Sequence, residues 1–246
     1  HRFPYLSHWK QVSGSLFPIA CQGMDLTGMK MPSPMRGMFG IVTYGVHLNI
    51  FSQWTDSDGQ HRTFVWVSTR SSTTTFPGML DQVVAGGIDD VNVLDPLIEL
   101  RREAHEEAGL TLNLRTRYME KDGMVIGKVT GPYQIQFYDR KDHRSRNEEG
   151  HLEPGVRFVF DLEVDDTFTP EPNSEDIHRF LLKSVEEIKQ DLTNLRWKPN
   201  SGLAMLASLI RRGIIAQQEA SIGELLGGLQ RPLPFPIVAV SNMRER

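Results

Sequence analysis

The sequence predicts an α+β fold of the α/β/α kind, a mixed sheet sandwiched between helices, with a small N-terminal extension or subdomain ahead of it. Three observations carry that expectation. β-branched and aromatic runs stand before and after one central helix. Two further helical patterns follow them. The strand that feeds the central helix ends in a glycine pair, Gly86-Gly87.

Ile41 to Phe51 is β-branched and aromatic and reads as a strand, with Thr63 to Ser68 as its return partner. Asp56-Ser57-Asp58-Gly59 is the turn between them. His47 falls inside the first strand, where a packed or hydrogen-bonded imidazole is expected. Phe76-Pro77-Gly78-Met79 is a turn, and Leu80 to Ala85 reads as a single strand running into the glycine pair.

Asp95-Pro96 opens the central helix, with an acceptor at the N-cap and a proline whose missing N–H is harmless at the first position. Gly109 closes it, because glycine tolerates the left-handed conformation of a helix stop. At about 100° per residue, Leu97, Leu100, Ala104 and Ala108 share one stripe. Glu99, Glu103, Glu106 and Glu107 share another.

Two later runs, Gln134 to Tyr138 and Val156 to Val164, are strand-like. Residues 139–149 between them are almost wholly charged or polar, either a solvated loop or a mobile basic lid over an anionic substrate. Ser184 and Glu187 form a capping box that opens a helix. Pro199 opens another, with Leu203, Leu206, Ala207 and Ile210 as its apolar stripe. Residues 1–38 are poorly periodic and form the N-terminal extension, residues 39–215 the main domain, and residues 216–246 a loose C-terminal tail.

Net charge is −4, so there is no bulk electrostatic case for a nucleic-acid partner. No apolar run approaches the about 18 residues that a membrane span needs. Cys21 is the single cysteine, which fits a reducing, cytoplasmic setting. His1-Arg2-Phe3-Pro4 looks like neither an initiator nor a signal sequence, which leaves open an organellar targeting segment upstream. Nothing in the sequence sets an oligomeric state.

Carboxylates at i, i+3 and i+4, here Glu103, Glu106 and Glu107, repel one another by a few tenths of a kcal/mol per exposed pair. A divalent cation removes that penalty, and hard oxygen ligands suit Mg²⁺ or Mn²⁺. A solvated acidic helix face has the same spacing. The surrounding residues discriminate between the two. Arg102-Glu103-Ala104-His105-Glu106-Glu107-Ala108-Gly109-Leu110, preceded by Gly86-Gly87 at a strand end, resembles the Nudix box.

Further strings resemble one fungal and plant branch of the Nudix superfamily, described as thiamine-pyrophosphokinase-related. They include Phe39-Gly40, Tyr44 to Asn49, Phe76 to Asp81, Val84 to Ile88, Pro154 to Leu162 and Lys198-Pro199-Asn200. The resemblance implies a Nudix hydrolase that cleaves thiamine diphosphate, with a preference for oxidised or damaged analogues, as in metabolite repair. It implies Mg²⁺ or Mn²⁺ held by Glu103, Glu106, Glu107 and the carbonyl of Gly86 (or Gly87). Arg102 would be structural, as would Gly87 and Gly109. Glu103 or Asp176 would take the proton of the attacking water.

Two departures stand out. The loop after the glycines is two residues longer than the family pattern and offers Val93, Leu94 and Asp95 where the family has a glutamate, so Asp95 or Glu99 takes over the pairing with Arg102. The loop Ser71 to Thr75 lacks a lysine that relatives carry there. Two alternatives stay open beside thiamine diphosphate. One is another diphosphate metabolite, such as a nucleoside diphosphate derivative or a prenyl-type diphosphate. The other is a catalytically weak binding protein on the same scaffold. Phe76, Tyr133, Phe137 and Trp197 are core residues or stacking partners for a substrate ring.

Overall fold

A computed structural model of the protein describes residues 16–19, 29–55, 58–88, 95–215 and 232–234. Cys21, Val93, Leu94 and most of the two terminal segments lie outside the described residues.

Strands β1 (Leu16–Pro18) and β2 (Lys30–Pro32) pair antiparallel. A 3₁₀ turn, Ser33–Met35, and a short helix α1, Arg36–Phe39, lead into the main sheet. Its strands are β3 (Thr43–Thr55), β4 (His61–Arg70), β5 (Leu80–Asp81) and β6 (Val84–Gly87). After helix α2 (Pro96–Ala108) come β7 (Thr111–Leu112), β8 (Tyr118–Lys121) and β9 (Met124–Arg140). Then follow β10 (Leu152–Val164), β11 (Ile177–Ser184), α3 (Val185–Thr193) and α4 (Pro199–Arg211). Among the described residues nine strands join in the order β11-β4-β3-β10-β9-β8-β7, with β5 on β4 and β6 on β3. β3 and β10 run parallel and their neighbours antiparallel, so the sheet is mixed as predicted.

Period-two alternation in β3 and β10 sorts the layers. Tyr44, Val46, Leu48 and Ile50 share one core with Val156, Phe158, Phe160 and with Leu100, Ala104 and Ala108 of α2. Phe51 points the other way and packs with Val65, Val67, Ile188 of α3 and Met205 and Leu209 of α4. Helices therefore cover both faces. The α4-side face of the two central strands is polar. Buried Asp161 accepts from Asn49 Nδ2 (3.0 Å) and Ser208 Oγ (2.8 Å) and pairs with Arg211.

Several expectations need correction. Leu80 to Ala85 is not one strand. Asp81 Oδ1 takes the Gln82 N–H (3.0 Å) and the Ser201 hydroxyl (2.6 Å), which bends the chain off β4 so that Val84–Gly87 pairs with β3 instead. Of the expected stripe of α4 Ile210 is buried, while Leu203, Leu206 and Ala207 are half-buried. Ser201, Ala204, Met205, Ser208, Leu209 and Ile210 are buried, and the two serines face inward because buried Asp81 and Asp161 need donors there. Residues 139–149 are solvated only in part: Arg140 ends β9, His143–Glu148 is a 3₁₀ segment, and Arg140, His143, Arg146 and Glu149 are exposed. Ser145 is fully buried, Arg146 donates to the Ser72 carbonyl (2.6 Å), and Arg144 donates to the Leu195 carbonyl (3.0 Å). β11 and the β7–β8 pair were not legible, whereas the Ser184–Glu187 capping box is formed as expected.

Because Asp161 joins β3, β10 and α4, Asp161→Ala leaves a guanidinium and two buried donors without their acceptor. The expected loss is about 3 kcal/mol of unfolding free energy in urea denaturation. A loss below about 1 kcal/mol would show that the cluster does not hold α4 to the sheet.

Candidate metal cleft

Helix α2 lies beside the end of β6, and its Glu103 side chain fills the space that a side chain at residue 86 would take. A Cβ built on Gly86 would sit 1.9 Å from Glu103 Cδ. The absent side chain lets the Glu103 carboxyl fold over the strand, where it is 8% exposed. One turn later, Glu107 Oε2 accepts from the Ala85 N–H at 2.7 Å. Burial, with Glu99 and Glu106 nearby, pushes Glu103 up to about 7 against the pull of Arg102. Burial, with Glu103 and Asp81 nearby, pushes Glu107 up to about 8. Two carboxyls raised in this way are short of positive charge.

Arg102 sits on the outer flank of α2. Its Nε donates to Glu99 Oε1 (2.9 Å) and its Nη1 to Glu106 Oε2 (2.6 Å), while Nη2 reaches Glu103 and, at 3.5 Å, the Gly87 carbonyl. Glu99 therefore takes the pairing left open between it and Asp95. Asp95 instead caps the helix, accepting from Leu97 N–H (3.0 Å) and Ile98 N–H (3.4 Å). Gly109 closes α2 with φ +63°, and its N–H bonds the Ala104 and His105 carbonyls.

Gly86, Gly87, Glu103, Glu107 and Asp176 line one open polar cleft of about 360 Å³. Arg36, Arg70, Asp81 and Lys198 complete its wall. Glu106 stands apart, exposed and turned toward Arg102. Among the described residues no three His, Cys, Asp or Glu side chains are gathered as a metal cluster. The cleft thus offers a hard cation two carboxylates, with Gly86 and Gly87 of β6 in its wall and Glu106 held away from it by Arg102. That donor set, oxygen-only and electron-rich, fits Mg²⁺ or Mn²⁺.

A second pocket of about 150 Å³ continues inward past Ala85, Gly86, Gly87 and Lys198, reaching Phe76, His47, Arg157 and Asn200. Between the two pockets sits Asp81, 2% exposed, which accepts from Arg70 Nη1 (2.8 Å), Lys198 Nζ (3.1 Å) and Ser201. Burial disfavours its charge, yet Lys198 and Arg70 hold the carboxyl well below the usual range. Gln82 Nε2 donates to the Ser201 carbonyl (2.8 Å), which aims Gln82 Oε1 at His47 Nδ1 (2.6 Å). The proton therefore resides on Nδ1, and burial pushes His47 down to about 3. The expected structural histidine is found, though it also forms part of the pocket wall. Of the four aromatic candidates, Phe76 lines the inner pocket, Trp197 belongs to the α4-side core, Phe137 lies beneath Arg157, and Tyr133 lies beneath Arg211.

Asp81, His47, Arg157, Lys198 and Arg36 were not singled out as site residues. A signal was present for three of them. Asp81, His47 and Arg157 are polar residues within apolar strands, a position that requires buried partners.

Neutral His47 sets a pH dependence. Below its ordinary value of 6.5 the unfolded chain takes up a proton that the folded chain refuses until about pH 3, so the His47 contribution to stability falls as pH falls through that window. Relative to wild type, His47→Asn should gain up to about 1.4 kcal/mol for each pH unit below 6.5. Urea titrations from pH 7.5 to 4.5 check this, and a pH-independent difference would contradict it.

No family model matches the chain. Among curated proteins, the uncharacterised Saccharomyces cerevisiae protein YJR142W is 32% identical over 205 residues, 82% of this chain and 56% of the yeast protein. Arabidopsis thaliana Nudix hydrolase 20, chloroplastic, is 29% identical over 189 residues, 76% of this chain and 44% of the plant protein. Arabidopsis thaliana Nudix hydrolase 24, chloroplastic, is 27% identical over 180 residues, 72% and 42% of the respective chains. The chain thus spans about half the length of the curated relatives it matches. Among the described residues no helix is long and apolar enough to cross a membrane. Matches of this extent necessarily take in the glycine pair and the acidic helix, so across that segment the chain is similar to two proteins named as Nudix hydrolases.

Proposed function

We propose that the chain hydrolyses the diphosphate linkage of a small organic diphosphate with the help of Mg²⁺ or Mn²⁺. Its substrate is thiamine diphosphate or an oxidised, damaged analogue, and phosphate is released. The observation that carries this reading is the pair of carboxyls, Glu103 against Gly86 and Glu107 on the Ala85 N–H, in a cleft whose wall also carries Arg36, Arg70 and Lys198 beside Asp81 and Asp176. Acidic and basic sides face each other across one space, as a metal–diphosphate pair requires. The plant relatives, named as Nudix hydrolases, support the reaction class. The substrate rests on the sequence resemblance to the thiamine-pyrophosphokinase-related branch.

Glu103, Glu107 and the Gly86 carbonyl would hold the cation, with Glu106 added once freed from Arg102. When bound, such an ion neutralises phosphate charge and acidifies water. The chain's own residues do the rest. The Ala85 N–H fixes the Glu107 carboxylate. Lys198 attracts phosphate oxygens. Asp176, exposed at the cleft wall, or Glu103 accepts the proton of the attacking water. The inner pocket receives the organic group, with Phe76 as its aromatic wall. The setting is cytoplasmic, or organellar as the names of the plant relatives state for those proteins.

One observation favours a second reading. Glu106 is bound to Arg102, so two carboxylates rather than three face the cleft, as suits a protein that binds a diphosphate and turns it over slowly. Calorimetric binding at saturating Mg²⁺ without product formation, across thiamine and nucleoside diphosphates, would select it.

The main reading is tested by phosphate release under metal titration. Glu103→Gln with Glu107→Gln should abolish turnover while near-UV circular dichroism stays native. Asp176→Asn should lose about 10²–10⁴ in rate if it is the base. Phosphate release by the double variant at wild-type rate would refute the assignment.

A further inference from the structure

The two pockets share a cation whose role is unassigned. Around them, Arg70 and Lys198 are turned to Asp81, Lys141 pairs with Glu148 and Glu153, and Arg157 pairs with Glu153 at 3.0 Å. Arg36 differs. Among the described residues it has no carboxylate partner, and its guanidinium lies 5.4 Å from the centroid of the Phe17 ring. It lines both the carboxylate cleft and the inner pocket.

Its placement is fixed by the backbone. The Ile41 N–H donates to the Arg36 carbonyl at 3.0 Å, and Gly40 turns the chain into β3 with φ +58°. Gly37 presses α1 against His151, where a Cβ would lie 2.7 Å from Nδ1. A guanidinium presents several N–H donors in a planar fork that suits phosphate oxygens. Glu148 and Glu153 line the inner pocket beside Arg36. Against burial, Lys141, Arg157, Lys198 and last Arg36 hold the Glu153 carboxyl below its usual range, but the ion pairs of Glu153 go to Lys141 and Arg157. The carboxyls of Glu103 and Glu107 would repel an incoming diphosphate, so a guanidinium outside those ion pairs at the junction is what such a ligand requires.

We infer that Arg36 is the diphosphate receptor of this protein, bridging the phosphate in the cleft to the organic group in the inner pocket. This rests on the proposed diphosphate chemistry and adds a residue from the segment preceding the sheet. Arg36 then acts on substrate affinity. Phe17 serves it as a stacking support.

The test is calorimetric binding of methylenediphosphonate, whose P–C–P bridge resists hydrolysis, to the full chain in saturating Mg²⁺. Arg36→Met should weaken binding at least tenfold, Arg36→Lys less than fivefold, and Phe17→Leu no more than twofold. Should Arg36→Met fail to fold by circular dichroism, Arg36→Gln makes the same comparison. Wild-type affinity in the Met or Gln variant overturns the inference and leaves the diphosphate reading intact. Equal weakening by Phe17→Leu overturns it in favour of a structural role. Absence of binding by the wild-type chain overturns both.

Discussion

The site depends on an empty volume. At Gly86 the chain has no Cβ, and the Glu103 carboxyl occupies the place one would take. Any side chain there would drive the Glu103 carboxyl off the strand and out of the place it holds beside Glu107. The rest of the arrangement follows from that approach. Glu107 comes within reach of the Ala85 N–H, Gly86 and Gly87 line the same cleft, and Arg102 reaches back to Gly87 from the outer flank. Burial then raises both carboxyls, and this strain on their charged forms is what a cation relieves.

A second constraint lies on the opposite face of the sheet. Buried carboxylates at Asp81 and Asp161 each demand several donors, and helix α4 supplies them through Ser201 and Ser208 rather than through apolar contacts. Of the two clusters only that of Asp81 reaches the pockets, through Asp81 itself in the cleft and Lys198 in both. Removing an ion-pair partner from such a place is expensive, whereas the complete network is self-consistent. His47 fits the same scheme, with one ring nitrogen held by Gln82 and its charge suppressed by burial.

The local signals were legible in the sequence because they act locally. The Asp95 cap, the Gly109 stop and the Ser184 capping box each concern groups three or four residues apart. Alternation in β3 and β10 likewise gave a two-sided sheet. The glycine pair and the acidic helix were identified together, and Gly86, Glu103, Glu107 and Asp176 do share one cleft. What escaped was long-range. Lys198 meets Asp81 across 117 positions, and Ser201 meets it across 120, so no spacing rule connects them. The break at Gln82 escaped for the same reason, since its cause is a helix far along the chain. Arg102 could have paired with Asp95 or Glu99, and only the helix cap, which occupies Asp95, decides the choice.

Glu103, Glu107 and the β6 backbone are proposed as a divalent-cation site. Anomalous diffraction at the manganese edge, from crystals of the full chain grown with Mn²⁺, tests it most directly. The account predicts a manganese peak between the Glu103 and Glu107 carboxylates and the Gly86 carbonyl. A cleft without manganese at saturating Mn²⁺, or an ion held elsewhere on the chain, would contradict it.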